Sequence, residues 1–150
     1  FAIYFGVLAL IFGVASLANS KLVMRFGMRR ISQYAMGTVV ALSALFLALH
    51  FIVDVVTLPM FLIYAVPLFF MFGMMFGNLN SIAMEPMGEV AGMASAIIGS
   101  TSSILSITLG TVIGQMYNNT LIPIAAGFMI LGALAWILMR LEQHWQHKQS

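Results

Sequence analysis

The side chains able to move a proton, hold a metal or attack a substrate are few in this 150-residue chain: four acids, Asp54, Glu85, Glu89 and Glu142, three histidines, His50, His144 and His147, and no cysteine. Their spacing does not suit catalysis. No His-Glu-x-x-His, Gly-x-Ser-x-Gly or Walker-type glycine loop occurs, and no pair of carboxylates falls inside an apolar stretch. His144 and His147 stand three apart, but no third ligand is near them, and a solvated tail is the simpler reading. Without Cys there is no disulfide, thiolate metal site or Cys nucleophile. The chain therefore reads as a non-enzyme, with no catalytic residue, no metal and no cofactor.

What these residues do show is where they are absent. All four acids lie at the ends of apolar stretches or outside them, whereas an ion-driven carrier needs a protonatable group within the membrane. A coupling carboxylate is thus not expected in this chain, and His50 is the titratable side chain closest to the bilayer.

The elements that must position these groups follow from composition. The chain is 62% hydrophobic and 7% charged, with a mean hydropathy of +1.06, outside the range of soluble domains. Five apolar stretches, 1–18, 31–52, 58–84, 91–116 and 121–139, approach or exceed the roughly 20 residues that cross a bilayer. Threaded alternately, they place Lys21, Arg25, Arg29, Arg30, Arg140 and Lys148 on one face and no Lys or Arg on the other. By the positive-inside rule that face is cytoplasmic.

The expectation is an all-α integral membrane protein with five transmembrane helices over 1–139 and a polar, fraying cytoplasmic tail over 140–150. A basic loop at 19–30 and a Pro-containing loop at 85–89 lie on the cytoplasmic side. Outer turns lie at 53–57, with Asp54, and at Tyr117-Asn118-Asn119-Thr120, which also matches a minimal glycosylation sequon. The pI near 9.3 reflects loop charge, and no basic patch with interleaved aromatics points to nucleic acid. The chain opens at Phe1 without an initiator Met, so it is expected to be the C-terminal piece of a longer polypeptide whose N-terminal half is its partner.

Two stretches carry polar patterns. In 91–116, Gly92, Ser95, Gly99, Ser103, Ser106, Gly110 and Gly114 make one stripe of small side chains, the kind that lets membrane helices approach closely. Roughly opposite lie Thr101, Thr108 and Gln115. That face is expected to look into a cavity or a second bundle, unless its hydroxyls merely bond back to their own helix. In 58–84, Asn78 and Asn80 are about 200° apart, so one is expected to face a cavity while the other bonds a neighbouring helix. The same stretch holds many Met and Phe side chains, which suit an adaptable hydrophobic pocket. The 121–139 stretch, nearly devoid of polar residues, is expected to meet lipid on most sides.

The loop Ser20-Lys-Leu-Val-Met-Arg25-Phe-Gly27-Met-Arg29-Arg30 resembles the second copy of the loop signature of the major facilitator superfamily, Gly-x-Leu-x-Asp-Arg-x-Gly-Arg-Arg. Leu22, Arg25, Gly27, Arg29 and Arg30 carry the likeness; Ser20 stands in place of the first Gly and Met24 in place of the Asp. The run from Phe76 to Ala96 is similar to the junction of the tenth and eleventh spans in the bicyclomycin and chloramphenicol resistance branch of drug:proton antiporters. Gly77, Asn78, Asn80, Met84, Glu85, Pro86, Ala91, Gly92, Ala94 and Ser95 carry that likeness.

The resemblance implies spans eight to twelve of a twelve-helix carrier, most of its C-terminal six-helix bundle, in a bacterial inner membrane with the C-terminus cytoplasmic. It implies that the ninth and twelfth spans are peripheral and that the tenth and eleventh face the central path. The function it implies is multidrug efflux by proton-coupled antiport of hydrophobic, drug-like molecules through alternating access, with the proton gradient as energy source. Asn78 or Asn80, Thr101, Thr108 and Gln115 would contact substrate. Arg25, Arg29 and Arg30, which flank Gly27, would help form a cytoplasmic gate with Glu85 or Glu89. The alternatives are a non-transporting membrane assembly subunit and a carrier of the same superfamily for another metabolite.

Overall fold

A computed structural model describes residues 2–53, 55, 57–116 and 122–149. Five α-helices account for nearly all of them: α1 Ala2–Phe26, α2 Met28–Ile52, α3 Leu58–Met84, α4 Ala91–Gln115 and α5 Ile122–Gln149. A short 3-10 turn, Glu85–Val90, joins α3 to α4. Asp54, the 117–120 turn with its sequon, and Leu121 lie outside the described residues.

Four helical runs are long and apolar enough to cross a membrane: Ala2–Phe26, Met28–Ile52, Leu58–Gln115 and Ile122–Gln149. The third is a run of 58 residues that holds both α3 and α4. At 1.5 Å per residue a straight helix of that length would reach about 87 Å, roughly twice a bilayer with its headgroups. It breaks at Met87, whose φ of −109° and ψ of 22° leave the helical region, one residue after Pro86. The break lets α4 run back along the bundle, where its Ile113 side chain touches α5 at Gly127.

Two of the expected connections are helix instead. The basic loop expected at 19–30 shrinks to Gly27, the single residue between α1 and α2. Gly27 adopts φ 84° and ψ 153°, a backbone region essentially reserved for glycine, and its N–H donates to the Val23 carbonyl at 2.9 Å. Lys21 and Arg25 look like loop residues by charge, but cations are favourable in the last turns of a helix. The tail expected to fray from 140 is likewise helical through Gln149. There, Gln146 Nε2 donates to Glu142 Oε1 at 2.9 Å, one turn apart.

Packing lines up the helices in the order α1, α3, α2, α5. The α1–α3 contact is closest at Gly73: a Cβ there would overlap the Phe12 carbonyl and lie 2.7 Å from the Ala15 Cβ. Between α2 and α3, Ser43 Oγ and Tyr64 Oη share a 2.9 Å hydrogen bond, and Phe46 stacks on Tyr64 with centroids 4.4 Å apart. Gly132 of α5 admits Val39, Val40 and Met36 of α2.

Helix α2 lies between α3 and α5 in this chain. Ile31, Ser32, Ala35, Met36, Val39, Ser43 and Phe46 are buried along it, and the small ones let α3 and α5 close in on both flanks. Helix α5 buries only Ala125 and Gly132, and α4 only Ala94.

Candidate functional site

The contacts fix which helix ends share a side. Arg29, in the first turn of α2, donates from Nη1 to Glu85 Oε2 at 2.9 Å, just beyond α3. From Nη2 it donates to Glu142 Oε1 at 2.8 Å, and from Nε to Glu142 Oε2 at 3.4 Å, late in α5. The start of α2, the end of α3 and the end of α5 therefore meet on one face, together with the end of α1 through Gly27. Charge parity alone groups the same ends.

The geometry suits a clamp. Both edges of one planar guanidinium are engaged, by carboxylates from two different elements, which fixes orientation as well as charge. The Arg29 side chain is 24% exposed, against 54% for Glu85 and 43% for Glu142. Isolated exposed pairs contribute on the order of 0–1 kcal/mol, and bidentate geometry with a second carboxylate raises the contribution. Glu142 is the partner that sequence reasoning misses. A signal for it exists, since a lone acid follows Arg140 on the face that parity assigns to all the cations.

The other residues expected at this end are spread along it. Arg25 lies over the Phe26 ring at 5.5 Å, and Glu89 is exposed in the 3-10 turn. Arg30 lines a groove between α2 and α5 of about 570 Å³, with Arg140, Tyr34 and Trp136. The Arg140 guanidinium sits over the Trp136 ring at 4.7 Å.

The residues expected to contact substrate do not converge on one site in this chain. Asn78 is buried between α1 and α3, where its amide and that of Asn19 bond each other reciprocally at 2.9 and 2.8 Å; its Nδ2 also donates to the Met74 carbonyl at 2.9 Å. Asn78 is thus the amide that joins two helices. Asn19 is the missed partner, because by sequence it looks like the first residue of a loop. Asn80 is exposed and bonds back to the Phe76 carbonyl at 2.8 Å.

Thr101, Thr108 and Gln115 all lie on α4; Thr101 and Thr108 are exposed, as is Gln115. Thr108 bonds back to the Ile104 carbonyl at 2.8 Å, and Ser95 to the Gly92 carbonyl at 2.9 Å. The small-residue stripe finds no helix among the described residues: a methyl group added at Gly92, Gly99, Gly110 or Gly114 would meet nothing within 4 Å, and Ser103 and Ser106 are exposed between them. Met71 and Met74 of the Met-rich helix α3 do line an apolar cleft of about 310 Å³ against Ile31 and Ala35 of α2. Among the described residues no group of three His, Asp or Glu side chains is arranged to hold a metal.

Comparison with protein-family models, with curated proteins and with solved structures gives no match.

Proposed function

We propose that this chain is part of a carrier that exports hydrophobic small molecules in exchange for protons, by rocking two helical bundles about a central site. The observation that carries the reading is α4. It is a 25-residue helix that buries only Ala94 here, yet it bears Thr101, Thr108 and Gln115 on one face and small residues on the other. Lipid on all sides would favour neither hydroxyls nor an amide. A water-filled path on one face and a close helix on the other would suit both. Arg29 and its two carboxylates would then act as a latch at the cytoplasmic end, closed here and opened when the bundles rock. The proton-carrying acid would lie in another part of the carrier.

The test is uptake of a panel of hydrophobic dyes into everted vesicles energised by an acid-inside pH gradient, the direction that corresponds to efflux from the cell. The reading predicts dye movement that dissipates the gradient, and an altered range of dyes for Thr101→Val and Gln115→Leu. Unchanged uptake in both variants would contradict it. A second reading, an assembly subunit without transport, is favoured by the open glycine face of α4. It predicts silence at Thr101 and Gln115, but loss of a partner on Gly99→Leu.

A further inference from the structure

The groove between α2 and α5 joins a cationic end to an apolar length. Arg30 and Arg140 stand at one end of it, Tyr34 and Trp136 lie beside them, and Ala41 and Leu45 continue it along α2. Arg30 and Leu45 are fifteen residues apart, about 22 Å along a helix. One leaflet with its headgroups is about 20 Å deep. The groove therefore runs from a doubly cationic mouth to the bilayer midplane, and its outer residues, Tyr34 at 71% exposed and Leu45 at 68%, face away from the helix bundle.

Two further features point to a bound anion at the mouth. Neither Arg30 nor Arg140 belongs to the Glu85–Arg29–Glu142 bridge, and neither makes an ion pair of its own with a described acid. Gln33 also lines the groove, and its Nε2, shielded from solvent, has no hydrogen-bond partner among the described residues. Buried amide donors are normally paired, so a turn of the Gln33 side chain toward the groove would let an acceptor there complete it. Basic pockets between helices on the cytoplasmic side suit anionic headgroups, with aromatic rings at the same level.

We propose that this groove binds one anionic phospholipid, its phosphate held between Arg30 and Arg140 near Gln33, and an acyl chain lying down α2 toward Leu45. The site does not depend on the carrier reading and needs only that the helices cross a membrane. A zwitterionic lipid would present its ammonium to the same two cations and be held less well.

The test uses the full-length protein in phosphatidylcholine vesicles, with brominated acyl chains on either phosphatidylglycerol or phosphatidylcholine. The fluorescence quenched at Trp136 is isolated as the difference from Trp136→Phe. Half-maximal quenching is expected at a mole fraction at least about fivefold lower for brominated phosphatidylglycerol, since each basic residue near an anionic surface contributes roughly that factor. Arg30→Gln with Arg140→Gln should bring the ratio near one, whereas Arg30→Lys with Arg140→Lys, and Arg25→Gln outside the groove lining, should retain it. Glycerol phosphate in solution should not relieve the quenching. Equal quenching by both lipids, no quenching by either, an Arg25→Gln effect as large as that of the groove pair, or relief by free glycerol phosphate would each overturn the proposal.

Discussion

Asn19 and Asn78 show how a polar residue in an apolar helix is read differently alone and in context. Each amide presents donors and an acceptor, and the reciprocal pair satisfies one of each on both sides, with the Met74 carbonyl taking a further N–H. Leaving one amide buried and unpaired costs about 1–3 kcal/mol, whereas removing both partners together is often nearly neutral. Asn19→Leu should therefore lower the unfolding midpoint in detergent, and Asn19→Leu with Asn78→Leu should recover most of the loss. If the double variant were as unstable as the sum of the singles, the pair would not be the source of the effect. The sequence makes Asn78 conspicuous because it sits deep in an apolar stretch. Asn19 is hidden by its neighbours Ser20 and Lys21, which look like the start of a loop. The partner of Arg29 is hidden for another reason, since pairing across 113 residues is a tertiary fact that local pattern does not carry.

At the scale of elements, the hydrophobic stretches locate all five helices, with boundaries shifted mainly where charge resembles a loop. Helix ends accept cations and polar tails accept i,i+4 pairs, so charge does not mark where a helix ends. Which glycines serve close approach is not legible from spacing. Gly73 and Gly77 are one turn apart on α3, yet only Gly73 meets another helix. Gly73→Ala should cost about 1–3 kcal/mol, because the colliding atom is backbone, whereas Gly77→Ala should be neutral or mildly stabilising. Thermal unfolding followed by circular dichroism would separate them, and equal effects would contradict the packing.

The Arg29 bridge joins elements rather than residues. Charge reversal, Arg29→Glu, places three acids together and should slow a transport cycle by roughly tenfold, about 1.4 kcal/mol in state preference, while leaving substrate affinity nearly unchanged. Loss of rate and affinity in equal measure would count against a latch.

For the whole molecule, α1, α3, α2 and α5 form a packed row, and α4 departs from it after the break at Met87. The sequence marks α4 as two-faced, but the neighbours of those faces are not among the described helices of this chain, so neither sequence nor packing here names them. The account turns on what the Thr101, Thr108 and Gln115 face meets. These 150 residues contain no Cys, so a cysteine introduced among them is read as the difference from the unsubstituted protein. The most direct measurement is labelling of Thr101→Cys and Thr108→Cys in membranes by a water-soluble maleimide, with Ile107→Cys on α4 and Ile130→Cys on α5 as references away from that face. The account predicts that the two threonine positions label and the two isoleucine positions do not. Equal protection at all four would place that face in lipid or in a dry helix contact, and would contradict a transport path along α4.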